Sequence, residues 1–276
     1  MLIKVLVENN PASCDFQTEH GLSLYIETGK QRILFDMGKS DLFLKNAKKL
    51  QADIAAVDFA VLSHGHYDHG GGMAAFLENN STARVYVHQR AFEKHYARRP
   101  DGELADIGID PGLLESGRII LTPDPFQISE GIDLFSGVTE RELFSSSNRV
   151  LMMEEGAGAA VDSFAHEQNL VIREGERLYL FAGCSHNGIV NIVRRFIRLY
   201  GRPADFVFGG FHLHNPTTKQ SEPEAHIQKI GAFLKDTPSK YYTGHCTGME
   251  PYRMLKEILK DKLEYLAAGS VIEIRP

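Results

Sequence analysis

The apolar run Asp58-Phe59-Ala60-Val61-Leu62 passes without a break into Ser63-His64-Gly65-His66-Tyr67-Asp68-His69. Any fold for this chain must bury the first segment and aim the second at one point in space. Alternation at the end of a strand puts His64 and His66 on the same side. Asp68 and His69 then turn back over that spot as the chain enters a helix. Imidazole and carboxylate hold zinc, iron or manganese without a further cofactor. One short loop can therefore serve two adjacent metal ions, and His64, His66, Asp68 and His69 are the first candidate ligands. A chance grouping of surface histidines is the bland alternative, and this spacing behind a buried strand argues against it.

Three later segments share one layout of apolar strand, glycine and ligand-type residue. They end in Gly183-Cys184-Ser185-His186, Gly209-Gly210-Phe211-His212 and Gly244-His245-Cys246. Loops at strand ends are where a rigid sheet presents chemistry, and glycine permits close backbone approach. Cys184, His186, His212 and His245 thus join the candidate site. Cys246 is expected to point the other way along its strand and to be structural.

Strand-like and helix-like runs alternate along the chain, and no low-complexity linker divides it. Leu2 to Val7, Leu22 to Thr28 and Arg32 to Asp36 form an opening strand set, the last two joined at Gly29-Lys30. Ser40 caps a helix through Phe43, Leu44, Ala47 and Leu50. Further helices follow His69 and Asn187, and a capping box at Ser221 and Glu224 opens another. The stretch of about 91–129 is rich in proline and glycine and reads as a helical and loop insertion over one edge of the site. The chain is expected to form one domain over residues 1–276.

The formal net charge of −6 argues against a nucleic-acid partner, although local basic groups can still hold one small phosphate. No apolar stretch is long enough to span a bilayer, so no membrane partner is expected. Three cysteines make no disulfide framework, and the N-terminus lacks a signal-peptide core, which together predict a cytoplasmic location.

With Arg32-Ile33-Leu34-Phe35-Asp36-Met37-Gly38 ahead of the histidine loop, the chain resembles the metallo-β-lactamase superfamily. The resemblance implies an α/β (α+β) fold, a four-layer αββα sandwich. It also implies that Asp36 orients the histidine loop without being a ligand, and that His245 is the last ligand. The superfamily usually has a bridging aspartate where this chain has Cys184, and a thiolate there favours a softer ion. The usual third-motif histidine is not visible in 132–141, so His186 or His212 must complete the coordination, or one site is weak. Glu19-His20-Gly21, Gly183 to Val190, Gly209 to Leu213 and Gly244 to Gly248 together resemble one branch, that of the dihydropterin-ribofuranosylaminobenzene-phosphate synthases and their bacterial relatives.

The expected cofactors are one or two divalent transition metal ions, zinc first and iron or manganese next. The expected metal ligands are His64, His66, Asp68, His69, Cys184 and His245. Asp68 would also act as general base, with His186 or His212 donating to a developing oxyanion or leaving group. Arg141 is a candidate for holding a phosphate. These residues point to a metal-dependent hydrolase acting on a small ester or phosphoester. A synthase acting on a pterin pyrophosphate is the alternative, followed by di-iron redox chemistry and by a non-catalytic ligand binder.

Overall fold

Two seven-stranded sheets pack against each other at the centre of the computed structural model, which describes residues 1–156 and 158–275. The first sheet runs Val271–Glu273, Leu2–Val7, Ser23–Glu27, Arg32–Phe35, Phe59–Leu62, Arg84–His88, Ile119–Thr122. The second runs Leu263–Tyr265, Lys240–Thr243, Phe206–Phe208, Arg177–Phe181, Asn169–Glu174, Ile132–Phe135, Phe126–Ser129. Each is antiparallel on one side and parallel on the other. Parallel neighbours need crossover connections, and helices supply them. Leu42–Lys49 and Met73–Asn79 cover the first sheet, while Ile189–Tyr200, Glu224–Asp236 and Met249–Leu259 cover the second.

Three apolar clusters separate four layers. Ile33, Phe35, Phe59 and Val61 of the first sheet meet Leu170, Ile172, Tyr179 and Phe181 of the second. Their chain neighbours Leu34, Ala60 and Leu62 face outward onto Phe43, Met73 and Phe76, and Leu178 and Leu180 face outward onto Ile192 and Phe196. The period-two alternation therefore survives in direction, but both faces are buried, which is why these strands read as continuous apolar runs. The result is the αββα sandwich. Among the described residues no helix is long and apolar enough to cross a membrane.

The stretch 91–129 differs from the expected helical and loop insertion. It holds His95–Arg98 and Leu104–Asp106, which pair with Leu151–Glu155 and Gly158–Val161 in a separate four-stranded sheet. Ile119–Thr122 and Phe126–Ser129 then become edge strands of the two main sheets. These strands are too short for alternation to stand out against the prolines and glycines between them. The capping box at Ser221 is also absent. The helix opens at Glu224 behind Pro223 with no side-chain cap, and the Ser221 hydroxyl instead donates to Glu250. Ser40 is not the cap of its helix either: Asp41 takes that position without a side-chain cap bond, and the Ser40 hydroxyl, one residue earlier, accepts from the Leu42 amide at 3.2 Å.

Candidate metal centre

Five loops that follow the carboxyl ends of Arg32–Phe35, Phe59–Leu62, Arg177–Phe181, Phe206–Phe208 and Lys240–Thr243 meet at one rim of the sandwich. Open α/β sheets place ligand sites at such ends because the parallel strands deliver every loop to the same side. Asp36, Ser185, His212 and His245 are non-glycine residues held there at φ of 57°, 58°, 49° and 51°. Such backbones cost on the order of 1 kcal/mol each and persist where surrounding contacts over-determine them. Gly183 is required for a different reason. A Cβ there would lie 2.1 Å from Ser63 Oγ and 3.1 Å from His64 Nδ1.

Asp36 is fully buried and ties the histidine loop together. Its Oδ1 accepts from the Ser63 amide at 2.7 Å, and its Oδ2 accepts from the Ser63 hydroxyl and from His69 Nδ1, both at 2.7 Å. Because the Ser63 hydroxyl is spent on Asp36, its oxygen must accept from His64 Nδ1 at 2.8 Å. His64 is thereby fixed with its proton on Nδ1 and a lone pair on Nε2. His186 is fixed the same way, since Asn148 donates its amide to the His186 carbonyl and turns Oδ1 toward His186 Nδ1 at 3.0 Å.

The rings of His64, His66 and His186 stand 4.6 to 4.9 Å apart between centroids. The Nε2 atoms of all three are buried with no hydrogen-bond partner. Burial first, and then the neighbouring imidazoles, hold all three well below the ordinary histidine pKa, so they are neutral. Buried polar atoms are normally paired, and orphaned lone pairs of this kind suit a cation. His64 and His66 gather with Asp68, and His64 and His186 with Cys184, closely enough to hold a metal ion.

A second pocket adjoins it. His69 Nε2 lies 3.1 Å from Cys184 Sγ, 3.2 Å from His245 Nε2 and 3.7 Å from Asp68 Oδ2, and Asp68 Oδ2 lies 3.3 Å from His245 Nε2. Tetrahedral zinc with bonds of ~2.0–2.1 Å sets ligand nitrogens roughly 3.3 Å apart, so the spacing suits such an ion. The proton logic agrees. His245 Nδ1 donates to Asn9 Oδ1 at 2.9 Å, leaving its Nε2 lone pair facing that of His69. With no cation present, burial pulls His69 down, but Asp36 and Asp68 outweigh it and push the imidazole up to about 9. Burial also raises the Cys184 thiol well above its usual range, with Cys246 adding to the effect. A bound cation would take over the role of the His69 proton and stabilise a Cys184 thiolate.

The cleft above these pockets is lined by His20, Tyr67, Arg98, Arg99, His212 and Cys246 among others. His212 sits 4.2 Å from His186 between ring centroids, and both its nitrogens are buried without a partner. Cys246 does not point away as the strand pattern suggests. His245–Thr247 is a 3₁₀ turn, so alternation no longer applies, and the Cys246 thiol lies beside Cys184 and His212. Arg141 is not at the cleft. Its guanidinium donates to the carbonyls of Val138, Glu140 and Ser163 and stacks on Phe144. The cationic wall comes instead from Arg98 and Arg99, on and just after a strand hidden in the punctuated stretch.

Several supporting residues carried no sequence signal strong enough to single them out. Glu167 accepts from the amides of His186 and Asn187, and Glu8 accepts from the amide of His245. His20 Nε2 lies 3.4 Å from Asp68 Oδ2. His95, Asp162 and His166 form a buried cluster behind His66. Of these only His20 falls in a segment that the sequence singles out, Glu19-His20-Gly21.

Comparison with known proteins agrees with this fold. The family model described as metallo-beta-lactamase superfamily matches residues 18–148. A 7,8-dihydropterin-6-methyl-4-(beta-D-ribofuranosyl)-aminobenzene-5'-phosphate synthase of Methanocaldococcus jannaschii is 32% identical over 273 residues, 94% of this chain and 91% of that protein. The crystal structure of Tm1679, described as a metal-dependent hydrolase of the beta-lactamase superfamily, superposes with a TM-score of 0.82 at 28% identity, covering 100% of both chains. The metallo-beta-lactamase fold protein YhfI of Bacillus subtilis shares the fold with a TM-score of 0.58 at 12% identity over 99% of each chain. The chain belongs to the metallo-β-lactamase superfamily.

Proposed function

We propose that this protein is a metal-dependent hydrolase of a small ester or phosphoester. On this reading His64, His66 and His186 hold one divalent ion, and Asp68, His69, Cys184 and His245 hold its neighbour. The observation that carries the proposal is the set of outward-pinned Nδ1 protons, which leaves Nε2 lone pairs of His64, His186, His69 and His245 converging on two adjacent pockets. A pair of divalent transition ions there would supply an activated water near neutral pH and polarise a carbonyl or phosphoryl oxygen. Zinc is the first expectation, because histidine, carboxylate and one thiol are borderline-soft donors; iron and manganese follow.

The chain's own residues divide the remaining work. Asp68 lies at the junction, 3.4 Å from His20 and 3.3 Å from His245, and orients the attacking water as general base. His212, unpartnered and beside His186, donates to the developing oxyanion or the leaving group. Arg98 and Arg99 on the cleft wall favour a substrate that carries a phosphate.

A second reading has support from the 32% identity to the synthase. There the same cleft would bind a pterin pyrophosphate, and the amine nitrogen of an aminobenzene would displace pyrophosphate from the pterin methylene, giving up a proton as the C–N bond forms. Metal analysis of protein purified without added metal tests what the two share. About two equivalents are expected, falling in His66→Ala, and a folded protein that carries and takes up no metal refutes both. Zinc-loaded protein is then assayed on bis(4-nitrophenyl) phosphate and on 4-nitrophenyl acetate, and separately on a dihydropterin pyrophosphate with an aminobenzene ribofuranosyl phosphate. Nitrophenolate release lost in Asp68→Asn supports the hydrolase; pyrophosphate release without it supports the synthase.

A further inference from the structure

Asp162 lies behind the first pocket and is not among the ligand positions. It is 4% exposed, and both its oxygens are fully used. Oδ1 accepts from the Phe164 amide at 2.7 Å, and Oδ2 accepts from His95 Nδ1 at 2.8 Å and from His166 Nε2 at 3.2 Å. Each partner leads to a different part of the first pocket. His166 Nδ1 accepts from the Gly65 amide at 3.0 Å, which clamps the backbone between His64 and His66. Since an amide can only donate, this bond fixes the His166 proton on Nε2, directed at Asp162. Phe164 stacks on the His186 ring at 4.6 Å between centroids and 5° between planes. His95 packs edge-on against His66 at 5.7 Å, and its Nε2, like that of His66, is buried without a partner. The Nδ1 proton of His95 is spent on Asp162.

We propose that Asp162 is the positioning residue of the first metal pocket, orienting His64 and His66 through His166 and His95, and His186 through Phe164. It would then serve this pocket as Asp36 serves His69. A buried cluster of two histidines and an aspartate beside His66 could also be taken as a further metal site. The hydrogen-bond pattern argues against a site built from all four residues, because both His166 nitrogens are engaged and Asp162 already accepts from both imidazoles, which leaves the Nε2 atoms of His66 and His95 as the open ones. Partners that orient a ligating histidine are typically worth about 10–100-fold in metal affinity.

The proposal rests on the two-pocket reading, and zinc titration separates the two. Metal-free full-length protein is titrated with zinc against a chromophoric chelator. Wild type is expected to take up two equivalents. In Asp162→Asn one of the two is expected to weaken by about 10–100-fold while the other keeps its affinity. A residue needed only for folding would affect both sites together, and that result overturns the proposal. Wild type that binds no zinc overturns the two-pocket reading and this inference with it. Two unchanged affinities in Asp162→Asn overturn this inference alone, as do three equivalents in wild type falling to two in the variant. If Asp162→Asn does not fold, His95→Phe keeps a ring in place and leaves the other bonds of Asp162 intact. It is expected to weaken the same single site by about tenfold, and equal affinities for both sites again overturn the inference.

Discussion

Asp36→Asn is nearly isosteric, yet the hydrogen bonds around the residue leave the new amide no good orientation. If Nδ2 replaces Oδ1, it opposes the Ser63 amide, a donor 2.7 Å away. If it replaces Oδ2, it opposes the Ser63 hydroxyl and His69 Nδ1. The hydroxyl can rotate, but His69 must then move its proton to Nε2, where it blocks the second pocket. A buried donor left unmatched costs about 1–3 kcal/mol. The charge effect adds a pH signature in metal-free protein. His69 is raised from its ordinary value to about 9, burial opposing and Asp36 and Asp68 outweighing it. Protonation on that scale stabilises the fold by on the order of 3 kcal/mol. Because the folded-state pKa is raised, this term is fully present below about pH 6.5 and fades as pH rises through about 9. Asp36→Asn removes the larger of the two raising influences. Urea unfolding in chelator at pH 6, 8 and 10 measures it, followed by far-UV circular dichroism because the chain has no tryptophan. The variant is expected to be about 3 kcal/mol less stable at pH 6, with the gap narrowing toward pH 10. Zinc affinity at the second pocket should fall by about 10–100-fold. A stability gap independent of pH, with zinc affinity unchanged, would refute the reasoning.

Four other perturbations follow from the same geometry. Gly183→Ala places a methyl 2.1 Å from Ser63 Oγ; urea titration should show a loss of about 1–3 kcal/mol, and an unchanged midpoint would mean the loops are free to part. Cys184→Ser keeps the volume but loses the soft donor, so zinc affinity in a competition titration should drop at least about tenfold at one site; equal affinity would exclude Cys184 as a ligand. Glu222 accepts from Ser145, Ser146 and Ser147 in the segment leading to Asn148. Burial raises its carboxyl, but those bonds outweigh it and hold the pKa below the ordinary value, so its stabilisation is present above about pH 4.3 and lost as the pH falls. Glu222→Gln should accordingly cost about 1.5–3 kcal/mol at pH 7 and converge with wild type near pH 3 in pH-dependent urea unfolding. Removing metal with a chelator should lower the melting temperature by on the order of 10 °C, recovered with excess zinc in a thermal scan.

Direct sequence signals covered the elements that are long and buried and the candidate ligands that share a short loop. His64, His66, Asp68 and His69 are legible because six positions of chain hold them together behind one strand. Cys184, His186, His212 and His245 are legible because each follows a strand and a glycine, and parallel strands bring such loops to one rim. Cys246 was misplaced because a strand pattern was extended into a 3₁₀ turn. Asp162, His95 and His166 lie 67 and 4 positions apart across an irregular stretch. Local spacing carries no information about such a pairing. Arg98 and Arg99 escaped for a related reason, since their strand is four residues long and, besides its short neighbour Leu104–Asp106, pairs with a partner more than fifty residues away.

The hydrogen-bond pattern also bears on why so much buried polarity is kept around one rim. The imidazoles pinned by Ser63, Asn148 and Asn9 turn Nε2 lone pairs inward, while His69, pinned by Asp36, holds a second proton beside the Asp68 carboxylate. Four loop residues are held in left-handed backbone besides. Taken alone, these features oppose folding, and the three apolar clusters must hold the loops in place against them. A cation in each pocket reverses the sign, because the same lone pairs become its ligands and the pinned Nδ1 protons keep them aimed. Preorganisation of this kind moves the cost of ordering the ligands from the moment of binding to the moment of folding. It also accounts for the roles of Asp36 and Asp162. Each accepts from donors of the scaffold, Asp36 holding His69 directly and His64 through Ser63, and Asp162 holding His95 and His166 behind His66.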